Sequence, residues 1–407
     1  MDVNNPTSHE TGSLAGLRVL DLSRVLAGPL CTQMLADHGA RVIKVEPPAG
    51  DETRTWGPPF VDETTSGYYS ALNRNKDNIC LDLTTGEGRS ALSALMAEAD
   101  VLVENFKAGT LARWGFDDQT LEHDFPRLIH CRITGYGVDG PLGGVPGYDA
   151  ALQAYSGLMS INGEPDRPPL RIGVPVVDMV TGMLSFSGIL LAVIERSRSG
   201  RGQRIDATLL DSAVSLLHPH SSSWFIDGRE PVRTGSAHPT IAPYDVFEAD
   251  GRPIFIGAGN DRQFRNLVEE LGIPQLADDP DYLTNSSRVL HRGRLRELLE
   301  DELSGRDFEE LSAALLKRGI PAAPVNTIDQ ALTSQQVLFR EMVVHKDEYT
   351  GPGIPVKLSR TPGTVRQVPR RRGQDTGRIL REFGCSPELI ESLLPDGASA
   401  GAHGDGK

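Results

Sequence analysis

At 407 residues, 39% of them hydrophobic, the chain is long enough to bury two or three cores and too long for a small stapled scaffold. Its formal charge of −14 repels polyanions and anionic membranes, and only short basic stretches such as Arg366 with Arg370-Arg371-Arg372 interrupt that field. The 43 glycines and 28 prolines are too aperiodic for collagen and too mixed with apolar runs for wholesale disorder, which leaves a loop-rich enzyme as the expectation.

Met1 to Ser13 has neither a basic n-region nor an apolar h-region, so no secretory signal or mitochondrial presequence is expected there. Leu17 to Ser23 then predicts a strand, Gly28-Pro29 a turn, and the residues through Asp37 a helix with Pro29 in its first turn. Arg41 to Glu46 predicts the next strand, completing a βαβ unit and so a parallel sheet. The pattern recurs at Asn78 to Leu83, where Thr84-Thr-Gly-Glu87 offers a capping box for a helix from Gly88 to Ala99, and again at Val101 to Glu104 and Arg127 to Ile133. Such repeats predict an open α/β sheet with ligands beyond the carboxyl ends of its strands.

After Asp178 the sequence is apolar on nearly every side as far as Glu195, which predicts a helix buried in the fold or at a subunit interface. A second long helix is expected from Thr208 to Phe225, followed by a polar Gly/Pro/His linker at 228–243. Tyr244 to Phe247 and Pro253 to Gly257 flank Asp250-Gly251, a hairpin signal, and helices dominate to Arg318, giving a smaller α+β domain at 244–327. Gly373 to Leu394 is helical in pattern, and the tail 395–407, rich in Gly, Ala and Asp, is expected to be disordered. No stretch approaches the ~18 uninterrupted apolar residues of a membrane span. Cys31, Cys80, Cys131 and Cys385 form no Cys-x-x-Cys and read as reduced core thiols of a cytoplasmic protein.

Among motifs, Gly135-Tyr-Gly137-Val-Asp-Gly140 matches a dinucleotide fingerprint, but it runs into Pro141-Leu-Gly-Gly-Val-Pro-Gly147, which cannot open a helix. It reads instead as a loop closely approaching some ligand. No Gly-x-Ser-x-Gly, Walker loop or His-Glu-x-x-His occurs, and His218 and His220 have no carboxylate or cysteine nearby in sequence, so no metal is expected. Asp178 is the most informative carboxylate: it ends an apolar run and immediately precedes the apolar helix. Its residue pattern suits a helix N-cap first; a covalent nucleophile kept ionised by the helix N-terminus is the second reading, and the two roles do not exclude each other.

Asp21-Leu-Ser-Arg-Val-Leu-Ala-Gly-Pro29, Gly39 to Glu46, Asn73-Arg-Asn-Lys76, Ala99 to Phe106, Gly200-Arg-Gly-Gln203 and Gly373 to Gly384 together resemble the family III CoA-transferases, the CaiB/BaiF group, over nearly the whole chain. The resemblance implies a Rossmann-like large domain built from both chain ends (14–227 and 328–394), an inserted small domain, and a homodimer of interlocked subunits. It implies Asp178 as nucleophile, forming an acyl anhydride that retains the thioester's reactivity, with oxyanion donors sought in the Gly135 to Gly140 loop. CoA contacts carried over by the same resemblance are Val25, Leu26 and Ala27, Leu81, Asn105 and Phe106, Arg113, and Thr134-Gly135-Tyr136. Arg113 has an added reason, since an acidic protein must place cations to hold CoA phosphates.

Two departures narrow the reading. Pro47 and Leu26 stand where formyl-CoA transferases resemble one another in having arginine and glutamine, which disfavours a formyl-CoA:oxalate enzyme. Gly147-Tyr148-Asp149 stands where α-methylacyl-CoA racemases have Gly-His-Asp, so that alternative lacks its second base. Gly235 to Tyr244 looks like the segment of enzymes using small dicarboxylates. The expected activity is therefore CoA transfer from an acyl-CoA, succinyl-CoA foremost, to a small dicarboxylic acid, with CoA thioester as substrate and no tightly bound cofactor, nucleic acid or membrane. Arg171, Arg233 or His238 would meet the second carboxylate.

Overall fold

The structure, a computed structural model, describes residues 12–394; the tail expected to be disordered lies outside them. The described residues divide into two units, 12–156, 173–216 and 335–394 in one, and 157–172 and 217–334 in the other.

In the first unit the strands run β1 Arg18–Asp21, β2 Arg41–Glu46, the small pair β3 Phe60–Asp62 and β4 Thr65–Ser66, then β5 Lys76–Cys80, β6 Val101–Glu104, β7 Ile129–Thr134 and β8 Arg204–Thr208. Six of them form one sheet in the order β5-β2-β1-β6-β7-β8, every neighbouring pair parallel. Counting only those six, the order is 3-2-1-4-5-6, the doubly wound arrangement whose switch point lies between β1 and β6. Strands buried on both faces read as continuous apolar runs, and Val19, Leu20, Val42, Ile43, Val101, Leu102 and Val103 are all buried.

Local chemistry explains two shifts from expectation. The helix after β5 starts at Gly86, and its cap is Thr85, whose side chain accepts from the Gly88 amide; Thr84 instead turns back to donate to Asp82, so the expected capping box does not form. The expected helix from Thr208 to Phe225 is two, Leu209–Ser215 and His220–Asp227, because Pro219 has no amide to donate and cannot continue the first. The outer edge of β5 is closed by the C-terminal segment: Asn78 N donates to Asp375 and Cys80 N to Thr376.

The second unit holds β9 Tyr244–Ala249, β10 Arg252–Gly257 and β11 Ala322–Pro324 in an antiparallel sheet. Asp250 and Gly251 both have positive φ, 50° and 68°, as a two-residue hairpin with this twist requires. Helices Asp261–Leu271, Arg292–Leu303 and Phe308–Lys317 bury Phe264, Leu267, Leu299 and Leu315 in a core with Phe247 and Ile256 of that sheet.

One helix among the described residues, Val176–Ser199, is long and apolar enough by length and composition alone to cross a membrane. It packs on the first helix, α1 Ala27–Asp37, and on β7 and β8.

Candidate active site

At the switch point the loop between β1 and α1 is held from two sides. Lys44 Nζ, fully buried on β2, donates to the Ser23 carbonyl at 2.8 Å. Asn105, just past β6, accepts from the Arg24 amide at 2.9 Å and donates to the Arg24 carbonyl at 2.7 Å. Immediately after these restraints Val25 takes φ = +70°, a strained conformation for a β-branched residue that costs on the order of 1–3 kcal/mol. Gly28 is required because any Cβ there would lie 2.2 Å from the Ser23 side chain.

Beneath the loop, Asp21 is fully buried and accepts from Thr32 at 2.6 Å and from Lys76 Nζ at 2.9 Å. Burial raises its pKa, but Lys76, Lys44 and the hydroxyls of Ser23 and Thr32 outweigh it and hold the group down at about 2.

Asp178 reaches this loop through helix packing. Gly182 lies one turn further along the long helix, on the same face, and a Cβ there would come 2.6 Å from the Ala27 carbonyl. The missing side chain lets the long helix close on the start of α1 and carries Asp178 with it. Asp178 is not the N-cap; it is the third residue of the helix. The cap comes from elsewhere. Asp149, buried at the start of the helix Asp149–Tyr155, accepts from the amides of Val177 at 2.8 Å and Asp178 at 3.2 Å, while Gln153 donates to its other oxygen at 2.6 Å. The Asp178 carboxylate is thereby left without a hydrogen-bond partner among the described residues. Burial first, and the Asp149 charge second, push its pKa up to about 7, so the helix N-terminus does not hold it in the ordinary carboxylate range as expected. Burial and then Asp178 push the phenol of Tyr68 up to about 12, leaving it a hydrogen-bond donor.

Val25, Leu26, Ala27, Asn105, Phe106, Thr134 and Gly135 line one cleft with Asp178, of about 180 Å³. Leu81 lines an adjoining cleft of about 300 Å³ with Leu22, Val45, Pro47 and Trp114, and Arg24, Phe106 and Lys107 line both. Arg113 lines neither; it donates to Thr110 at 2.9 Å. Tyr136 is also outside the linings, its ring edge-on to Tyr155 at 5.3 Å. Gly135 has a packing reason as well as its place in the cleft lining. A Cβ on Gly135 would lie 2.6 Å from the Gly147 amide nitrogen, so this glycine is dictated by the chain crossing itself, and the Gly137 amide is committed to Thr134.

In the second unit, two of the cations expected for a substrate carboxylate are otherwise engaged. Arg233 donates to the carbonyls of Ser160, Glu164, Pro165 and Arg167. Burial, Arg292 and His220 lower the pKa of His238, so it is neutral at pH 7. Arg171 is exposed, with Nη1 donating to the Ile172 carbonyl at 3.2 Å. Asp149, Gly182, Tyr68 and Glu52, which also lines the first cleft, are not among the residues expected from the sequence; Arg24 lies inside the motif Asp21 to Pro29.

The model of CoA-transferase family III matches residues 14–376. A succinate–glutarate CoA-transferase of Agrobacterium fabrum is 42% identical over 381 residues, covering 91% of this chain and 95% of that protein. A succinyl-CoA:mesaconate CoA-transferase of Haloarcula hispanica is 41% identical, covering 86% and 91%. Among solved structures, a CaiB/BaiF family protein from Brucella suis has a TM-score of 0.83 at 41% identity, covering 92% of this chain and all of that one.

Proposed function

The chain belongs to CoA-transferase family III and is a CoA-transferase, and from that premise we propose that it moves CoA from succinyl-CoA to a small dicarboxylic acid through an acyl anhydride on Asp178. The observation that carries the reading is the Asp178 carboxylate itself, unpartnered in a cleft at the carboxyl ends of β1, β6 and β7. A carboxylate oxygen attacks the thioester carbonyl, the C–S bond breaks, and CoA leaves as thiolate. Thiolate attack on the aspartyl carbonyl then releases succinate and leaves an aspartyl thioester. The acceptor carboxylate attacks that thioester, expelling the thiolate again, which finally takes the acceptor's acyl group and frees Asp178. Each intermediate is as activated as the thioester, so no step becomes a trap. A raised pKa makes the carboxylate a stronger nucleophile once ionised.

The dicarboxylate preference rests on the relatives, whose names give glutarate in one case and mesaconate in another. Leu26 and Pro47, both apolar, disfavour formyl-CoA:oxalate exchange, and no histidine lines the Asp178 cleft to serve a racemase. CoA would place its nucleoside in the apolar cleft and its thiol by Asp178. The homodimer of interlocked subunits belongs to the same proposal, supported by exposed Leu184, Leu191 and Ile194 on the long helix. So does a cytoplasmic setting, which the four free cysteines suit. The test is a panel of dicarboxylic acids incubated with succinyl-CoA, the CoA esters being separated by chromatography, with mass spectrometry of the Asp178 peptide quenched in turnover. A new ester and an acyl adduct on Asp178 are expected; no exchange with any acid would overturn the reading.

A further inference from the structure

We infer that Arg24 grips the diphosphate of the CoA substrate where the two clefts meet, an assignment that rests on the transferase reading above. Among the described residues, Arg24 and Lys107 are the only basic ones lining either cleft, and they line both. An anionic ligand lying across the two must therefore meet them. Lys107 is exposed, so its charge is largely screened by water, whereas Arg24 is half-buried with its Nε fully enclosed.

That Nε has no partner, and the guanidinium forms no hydrogen bond or ion pair with any described residue. Arg18, Arg41, Arg54 and Arg74, on neighbouring elements, each hold a carboxylate instead. A buried donor without an acceptor is costly and points to an acceptor supplied by a ligand. The residue is also preorganised, because Asn105 fixes its backbone on both sides. The position of the junction selects the group. A nucleoside among Leu22, Leu81 and Trp114 and a thiol at Asp178 leave the diphosphate between them, and a guanidinium fork matches phosphate oxygens in pairs. Pro47, on the wall of the apolar cleft, contributes no charge that could substitute.

Calorimetric titration of CoA, 3′-dephospho-CoA and pantetheine into the wild-type protein, Arg24→Gln and Arg24→Lys tests this. Arg24→Gln is expected to weaken CoA and 3′-dephospho-CoA by the same factor, roughly ten- to hundredfold, to leave pantetheine unchanged, and to leave KM for the acceptor acid unchanged. Arg24→Lys should recover part of the loss. Unchanged pantetheine binding also shows that the variant's cleft is intact. Loss confined to CoA would assign Arg24 to the 3′-phosphate, and a raised KM for the acid with unchanged CoA binding would assign it to the acceptor; either overturns the inference. Wild-type CoA binding without acyl exchange with any acid would sink the transferase reading, whereas an Arg24→Gln protein that binds CoA as tightly as wild type would overturn this inference.

Discussion

Asp21 and Asp178 lie on either side of the same loop and differ in everything except their chemistry. Burial raises the pKa of both. Asp21 meets two lysines and two hydroxyls and is held at about 2, while Asp178 meets a second carboxylate and no donor and rises to about 7. Depth in the protein therefore does not separate a structural carboxylate from the proposed nucleophile; the company it keeps does. The paired network around Asp21 supports the strained turn at Val25, and the unpaired group faces the cleft that this turn lines.

The contrast can be broken most forcefully at Asp178. Asp178→Ala is expected to lower transfer by at least about a thousandfold while calorimetry finds CoA affinity within a factor of two, since the unpartnered carboxylate holds no neighbour in place. Asp21→Asn should act the other way. It leaves Lys76 and Lys44 buried with a lost counter-charge, and urea unfolding should register a loss of about 3–5 kcal/mol, yet the folded fraction should keep a pH–rate inflection near 7. An inflection displaced by a unit or more would show that the two carboxylates are not independent. Asp149→Asn comes next: weaker capping of the long helix costs about 1–2 kcal/mol, and removal of the neighbouring charge should move the kcat/KM inflection below 7. A midpoint that stays in place would limit Asp149 to capping.

Much of the large unit was legible because β strands buried on both faces announce themselves as apolar runs, and Arg18 to Asp21 with Arg41 to Glu46 fell where expected. The first cleft was legible for a related reason, since ligands of such sheets gather at strand ends, which is where Val25, Asn105 and Thr134 stand. What stayed hidden depends on contacts distant in sequence. Nothing local to Asp149 says that it caps a helix beginning at Val176, and without that fact the capping and nucleophilic readings of Asp178 cannot be separated. Gly182 looks like any glycine in an apolar helix until α1 is laid against it. Arg24 could have been found, because it is a basic residue inside a recognised loop motif of an acidic chain; what the sequence could not show is that no carboxylate comes to pair with it.

The smallest effect is the one that separates the two aspartates by sign. In the unfolded chain Asp178 ionises near 3.8, and in the native protein near 7. Between those values the native state holds a proton that the unfolded chain has released, so this group's contribution to stability falls as pH rises through that window and its deficit is complete above it. Asp178→Asn removes the titration. It should be more stable than wild type at pH 8 by about 1 kcal/mol, kept small because the carboxylate opens onto a solvated cleft where screening blunts the penalty, and the advantage should vanish near pH 4. Asp21 runs opposite: its depressed pKa gives stability above about 4 that is lost as pH falls toward 2, so neutralising it can only destabilise at pH 8. Urea midpoints for Asp178→Asn and wild type at pH 8 and pH 4.5 decide it. Coincident midpoints at pH 8 would mean that the cleft solvates Asp178 as well as water does, and the proposed nucleophile would lose its physical distinction from Asp21.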